Sequence, residues 1–453
     1  MKNDKKNSYK AIIIANGGEA FSGVLNKIED KKEKKRKIML EHYLSERAMF
    51  WECDDKVVIT PYLINNSLIN KNAELFNFNN LKNLAPSTIN ISLSKAIIND
   101  RSLWNAIVKI IKDNPGINVS SYAVTEDFML LIRGFKKRNL KFTSNEKPEQ
   151  ESEWTVSYLD SKVGFRLEMN KIQSSLKESI VPEGFICRDK KEAMNIAKWF
   201  YKKKRSCVVK VNYGESGWGT VILKIEDFGS IEVLEKGLER EFNSDLIWDK
   251  TLIVVEEFIK PNKNIGGGSP STEVYVDDYG PKLTYSCGQL LVNQKEFIGV
   301  AMGNKYFNDD INSKFKNIGL AVGKRYWELG YRGFFDIDFV ISSQGKPYAI
   351  ETNNRRTGGT HVFDIARNLL GRQWGKKFYL ISRDSFKYGN KNLSSKIIMD
   401  KMSDIMYPIK NNKKGIVVTI IDECLPVFGF VIIANDAKEA NQIYRKLFNV
   451  WHK

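Results

Sequence analysis

The sharpest chemical signal in this 453-residue sequence is a pair of short acidic segments in its last third. In FFDIDFV, strand alternation puts Asp336 and Asp338 on one face. In AIETN it puts Glu351 and Asn353 on a common face. Paired strands would bring Asp338, Glu351 and Asn353 together as three oxygen ligands, a hard set that suits Mg²⁺ shared with substrate phosphates. Carboxylates left unpaired in half-buried strands are costly, which argues for a metal or cationic partner. The competing reading is an exposed edge strand with surface acids. NNRRTGGTH follows directly. Its Arg355 and Arg356 carry planar guanidinium groups that match carboxylate and phosphate geometry. His361, one of three histidines, has no HExxH or paired-histidine context and reads as structural.

A second signal lies upstream, in YGESGWG. Gly214, Gly217 and Gly219 lack Cβ atoms, so backbone amides there can approach a phosphate closely. Lys210 ends the preceding strand VVK, where its ammonium would lie beside such a phosphate. Taken alone, the glycines are equally consistent with a tight hairpin, and the lysine with a snorkelling edge residue. No GxSxG and no Cys/His nucleophile context occurs, which argues against covalent hydrolase chemistry.

The elements that position these residues alternate between strand and helix. YKAIIIANGG opens a strand that runs into a helix, and KVVITPYL supplies another strand, so the first region reads as an α/β layer. Lys37 to Phe50 and Leu103 to Lys112 look helical, while the preceding run from Asp30 to Lys37 looks like solvated charge. FTSNEKPEQESE (Phe142 to Glu153) is the best linker candidate. Lys190 to Lys204 places Ala193, Ile196, Ala197 and Phe200 on one helical face. SCVVKVN, GESGWG and TVILKI then read as strand, turn and strand, so the glycine loop caps a hairpin and does not feed a helix. TLIVVEEFI is a buried-looking strand, and a helix is expected from about Asp310 to Leu329 before the acidic strand pair.

Composition sets outer limits. At 42% apolar residues the chain can bury several cores. No apolar run nears the roughly 18 residues of a membrane span, and the N-terminal AIIIA is too short for a secretory signal, so a cytoplasmic protein is expected. Five scattered cysteines without a CxxC pair fit reduced thiols. The net charge of +17 points towards acidic partners, although lysine is spread over the whole chain and no nucleic-acid module signature is present.

In combination and order, VVKVNYGESGWG, VEEFI followed by SPSTEV, the DF of DIDFV, and ETNNRRTGGTH resemble the ATP-grasp carboxylate–amine ligases. Within them the chain is most similar to peptide ligases of the pheganomycin-biosynthesis type. EHYLSERAMFW resembles that family's glutamate–arginine helix, KVVITPYLI its following strand, and GIVVTII with GFVIIANDAKEANQIY its C-terminal domain. The resemblance implies an α/β (α+β) chain: a pre-ATP-grasp α/β domain over 1–150, an ATP-grasp core over 151–375, and a small α+β domain over 376–453.

It further implies ATP and Mg²⁺ as cofactors and activation of a carboxylate as an acyl phosphate, which an amine then attacks. Such phosphoryl transfer depends on positioning and charge neutralisation more than on a side-chain nucleophile. By the resemblance, Lys210 and the loop residues Gly214, Ser216, Gly217, Trp218 and Gly219 hold the ATP phosphates. Glu256, Glu257, Phe258 and Ile259 form the adenine hinge, with an acidic side chain near the ribose. Asp338, Glu351 and Asn353 hold the metals, and Arg355 and Arg356 stabilise the acyl phosphate and tetrahedral intermediate. The family's second ATP lysine corresponds to Lys162 in DSKVGFR, with Lys171 as the alternative. YSCGQ keeps only Ser286 and Gln289 of a family run, so substrate identity transfers least. The expected partners are a small, amino-acid-derived carboxylate and an amine or peptide. An acyl-carrier-protein thiol is the alternative acceptor, and a non-catalytic nucleotide- or nucleic-acid-binding protein is the reading from another class.

Overall fold

In the computed structural model, residues 8–52, 54–148, 150–176, 179–214, 218–292, 296–422 and 425–452 are described. By internal contacts the chain divides into two units. One comprises Met1–Lys147, Ile298–Tyr306 and Arg355–Lys453, and the other Pro148–Phe297 and Phe307–Asn354. Among the described residues no helix is long and apolar enough to cross a membrane.

The first unit opens with β1 (Ala11–Ile14), β2 (Lys56–Ile59), β3 (Leu81–Leu84), β4 (Ile117–Ser121) and β5 (Phe142–Thr143). They form a parallel sheet in the order β3-β2-β1-β4-β5. β1 and β2 are buried along their whole length, as expected of central parallel strands covered on both faces. Lys56 is tolerated inside this layer because its ammonium donates to the Trp51 carbonyl at 2.7 Å and lies 4.2 Å from the Phe78 ring centre. The charged run from Asp30 to Lys37, read as solvated, is largely exposed and forms the first turns of helix Lys31–Leu44, started by Asp30, whose carboxylate accepts from the Glu33 amide at 2.6 Å.

The second unit contributes β6 (Gly184–Cys187), β7 (Cys207–Val211), β8 (Thr220–Leu223) and β9 (Ile253–Glu257), an antiparallel sheet in the order β6-β9-β7-β8. Helices Lys190–Lys202 and Ile231–Ser244 bury Ala193, Ala197, Phe200, Leu234 and Leu238 against it. The hairpin read from the sequence is present, with Lys210 opposite Thr220 in β7–β8.

β10 (Pro270–Asp277) and β11 (Gly280–Val292) come next, then β12 (Glu296–Gly303), which joins the first unit from Ile298. β13 (Gly333–Ile341) and β14 (Pro347–Asn353) return to the second unit, whose antiparallel order here is β14-β13-β10-β11. Helix Asp309–Glu328 starts at Asn308, whose side chain accepts from the Ile311 amide at 2.9 Å. The first unit ends with β15 (Tyr379–Lys387), β16 (Gly415–Ile421), β17 (Val427–Ala434) and helix Ala437–Trp451, with β15 and β16 flanking β17.

The linker reading of Phe142 to Glu153 does not hold throughout. Phe142 and Thr143 pair with β4, and Glu146 is 5% exposed. Two residues of strand carry no legible period, and Glu146's partner lies 210 positions away.

Candidate nucleotide and metal site

Within the second unit the predicted lysines and acids converge. Register across β13–β14 places Asp338 opposite Glu351 and Asp336 opposite Asn353. β10 adds Ser271 opposite Asp338 and Glu273 opposite Asp336 on the other side of β13. Directly opposed residues share a sheet face, so one face carries four carboxylates. The Asn353 amide donates to Asp336 Oδ1 at 2.9 Å and to Asp338 Oδ2 at 3.2 Å. Ser271 Oγ donates to Asp336 at 2.9 Å, and the Gln289 amide donates to Asp338. Burial raises the Asp338 carboxyl well above its ordinary range, and the neighbouring Asp336 and Glu351 carboxylates add to that shift.

Among the described residues, no three His, Cys, Asp or Glu side chains are arranged as a ready metal cage. The donor chemistry nevertheless fits Mg²⁺. Oxygen-only ligands from Asp338, Glu351 and Asn353 sit in a cluster of mutually repelling carboxylates that a hard cation would neutralise. The metal set read from the sequence did not include Asp336, Ser271 or Glu273. The alternation that selected Asp338 already marked Asp336, whereas the two β10 residues required knowledge of strand order.

Two lysines meet this acidic edge. Lys162, at the start of helix Lys162–Leu176, places its ammonium 2.6 Å from Glu351 and 3.2 Å from the Gly214 carbonyl. Lys171 lies on the same helix, 59% exposed, and pairs with Glu168 at 2.8 Å. The geometry thus brings Lys162, and not Lys171, to the constellation. Lys210 donates to the Ile350 carbonyl at 3.3 Å and is ion-paired with Glu256. Arg166 holds the other oxygen of Glu256 at 2.5 Å. Burial works to raise the Glu256 carboxyl, but Lys210 and Arg166 outweigh it and hold the group below its ordinary value. Glu256 is therefore a buried, ionised carboxylate locked between two cations.

The hinge is partly spent on the sheet. The Glu257 amide donates to the Glu183 carbonyl at 2.8 Å and the Phe258 amide to Ser206 at 2.9 Å. Among the described residues the Ile259 amide has no backbone partner. Glu257's carboxylate pairs with Arg205 at 2.6 Å.

In the glycine loop, Ser216 and Gly217 lie outside the described residues. Gly219 has φ +72°, and a side chain there would collide with Val211. A Cβ at Gly214 would collide with the Trp218 carbonyl. Trp218 packs on the core of the hairpin sheet, and its indole N–H donates to Asp245 at 2.7 Å.

No family model matches the chain. Phosphoribosylamine–glycine ligase from Thermotoga maritima is similar in structure, with TM-score 0.56 at 14% identity over 97% of this chain and 96% of that one. The biotin carboxylase domain of 2-oxoglutarate carboxylase from Hydrogenobacter thermophilus, in complex with MgADP, ADP and bicarbonate, gives 0.55 at 12% identity over 98% and 90%. N5-carboxyaminoimidazole synthase from Aspergillus clavatus, in complex with ADP, gives 0.54 at 10% identity over 99% and 100%. The fold is ATP-grasp.

At these identities the likeness speaks for the ATP-grasp fold alone. Among curated proteins, L-propargylglycine–L-glutamate ligase of Streptantibioticus cattleyicolor is 26% identical over 148 residues. That match spans 32% of this chain and 28% of the relative, so the chain matches less than a third of the relative's length.

The two arginines after the ATP-grasp acidic strand belong to the first unit. Arg356 is buried, with its guanidinium bidentate on Glu146 at 2.6 and 2.7 Å and donating to the Ser121 carbonyl at 2.6 Å. It pins the segment to β4 and is committed there, so a clamp reading rests on Arg355. Arg355 bridges to Ala123 in backbone and lies 4.9 Å from the Phe21 ring centre, and its charge acts to lower the pKa of the buried Tyr122 hydroxyl. His361 is buried, and its ring nitrogens have no hydrogen-bond partner among the described residues. Burial, with Arg47 adding to it, lowers its pKa well below the ordinary value, which suits a neutral structural residue.

Proposed function

We propose that the protein is an ATP- and Mg²⁺-dependent ligase that activates a small carboxylate as an acyl phosphate and joins it to an amine. The convergence of Lys162 and Lys210 on the Glu351 edge of the acidic sheet face carries this reading. Two cations beside an oxygen-donor set are what a triphosphate and its metal require, whereas a passive binding surface needs no such pairing.

In the reaction a substrate carboxylate oxygen attacks the γ-phosphorus, and the bond to the β-bridging oxygen breaks to release ADP. The amine nitrogen then attacks the acyl carbon, phosphate leaves, and the nitrogen gives up a proton. Lys162, Lys210 and the loop from Gly214 to Gly219 hold the phosphates, and Ile259 with its hinge neighbours holds the base. Asp338, Glu351 and Asn353 hold Mg²⁺, which supplies charge neutralisation on the phosphate oxygens. Arg355 steadies the acyl phosphate, and the segments 1–150, 151–375 and 376–453 serve as substrate, nucleotide and cap domains.

The similarity to a curated amino-acid ligase supports an amino-acid-derived donor. A carrier-protein thiol as acceptor is favoured by one observation, the +17 net charge, since such carriers are acidic. Positional isotope exchange tests the first step. ATP labelled with ¹⁸O in the β–γ bridge should scramble that oxygen when carboxylate is present and amine is absent. Labelled ATP that never scrambles with any carboxylate supporting turnover would count against an acyl phosphate.

A further inference from the structure

A glycine-rich loop can approach a phosphate closely, but it has few side chains of its own to fix its shape. One residue of YGESGWG breaks that pattern. Trp218, near the carboxyl end of the loop, packs partly buried on the core of the β6-β9-β7-β8 sheet. An indole N–H in such a place needs an acceptor, and here it is the Asp245 carboxylate at 2.7 Å.

Asp245 is itself held. It follows helix Ile231–Ser244 and opens the turn Leu246–Trp248, where its other oxygen accepts from the Ile247 amide at 2.9 Å. Ile247 and Trp248 are buried in the same core, so the anchor belongs to the packed layer beneath the hairpin. Hydrogen bonds to a carboxylate are among the stronger kinds.

From Trp218 the contacts run across the loop to the metal edge. A Cβ on Gly214 would collide with the Trp218 carbonyl, so the two ends of the loop touch in backbone. The Gly214 carbonyl accepts from the Lys162 ammonium at 3.2 Å, and that ammonium lies 2.6 Å from Glu351. The Lys162 amide also donates to the Asn212 carbonyl at 3.0 Å, which ties the lysine to this hairpin twice. Every link lies in the second unit. A displaced Trp218 would move the Gly214 carbonyl, and with it the point from which Lys162 meets a phosphate. Placement errors of about 1 Å are costly in chemistry that depends on positioning.

We infer that Trp218 is a positioning residue: anchored on Asp245, it sets the height of the glycine loop and the place of Lys162 before the ATP phosphates. Its side chain touches neither base nor phosphate in this role. The phosphate half rests on the ligase reading above; the anchor and its connection to Lys162 do not.

Calorimetric titration of the full-length protein tests this, with a non-hydrolysable ATP analogue plus Mg²⁺ and, separately, with adenosine. Trp218→Phe keeps a packing ring and removes the donor, while Asp245→Ala removes the acceptor. Each should weaken the analogue roughly tenfold, the loss of one hydrogen bond to a carboxylate, and leave adenosine binding as in the wild type. Asp245→Asn keeps an acceptor oxygen and should retain most of the analogue affinity. The Trp218→Phe/Asp245→Ala double variant should be no weaker than either single one, because both break the same contact. Analogue affinity unchanged in both single variants would overturn the inference and leave the ligase reading standing. So would an equal loss of adenosine, the mark of a general fold defect or of direct contact with the base, and so would losses that multiply in the double variant. A wild-type protein that binds no ATP analogue would sink the ligase reading, and the inference with it.

Discussion

Glu256 shows how a buried carboxylate aims a neighbouring ammonium. It is buried between Lys210 and Arg166 and fixes where the Lys210 ammonium points. Glu256→Gln leaves two buried cations short of a counter-charge, so a loss of about 3–5 kcal/mol is expected in urea unfolding, together with weaker ATP-analogue binding. Unchanged stability would mean that the pair is solvated in practice. His42 supplies a pH signature. Burial pushes its pKa down to about 4, the Asn90 backbone contact offsetting this only partly, whereas the unfolded value is near 6.5. The unfolded chain therefore takes up a proton that the folded one refuses. Stability is intact above pH 6.5 and falls by roughly 3 kcal/mol as pH drops towards 4. His42→Phe should flatten that part of the urea-midpoint profile, and an unaltered slope would contradict the assignment. Residue types were legible in the sequence wherever a strand period organised them, as with Asp338 and Glu351. The structural pairing of Arg356 was not, because Glu146 lies 210 positions away in a segment that reads as linker.

At the scale of elements, the acidic face of β10, β13 and β14 trades stability for function. Asp338 is crowded by Asp336 and Glu351, and its raised pKa means that ionisation opposes folding as pH climbs. Asp338→Asn should therefore raise the melting temperature at neutral pH without metal. Added Mg²⁺ should stabilise the native protein but have little effect on the variant. A variant that melts lower and responds to Mg²⁺ as before would remove Asp338 from the metal set. The strand pairs and the β7–β8 hairpin were readable from alternation and glycine placement. The first turns of helix Lys31–Leu44, before the stretch from Lys37 read as helical, were not, since they carry charge without apolar period, although Asp30 and Glu33 form the D-x-x-E start of a capped helix. Cys287 shows the same sheet face from another side. It is buried opposite Ser271, and burial with the surrounding Asp336, Asp338 and Glu273 raises its thiol well above the ordinary value. The cysteine is accordingly a packing residue.

Across the whole molecule, a basic chain of 453 residues gathers four carboxylates on one sheet face of the second unit and brings Lys162 to Glu351 and Lys210 to the Ile350 carbonyl at its edge. The +17 charge is spread over the chain at large and speaks for an acidic carrier as the alternative acceptor. The central claim is activation of a carboxylate at that acidic edge. It is tested most directly by ADP release from ATP and Mg²⁺ across a panel of amino acids and other carboxylates, with hydroxylamine present to trap the acyl phosphate. The account predicts ADP and hydroxamate that both depend on one class of carboxylate and both vanish in Glu351→Ala. ADP release indifferent to the carboxylate, or hydroxamate formation that survives Glu351→Ala, would contradict it.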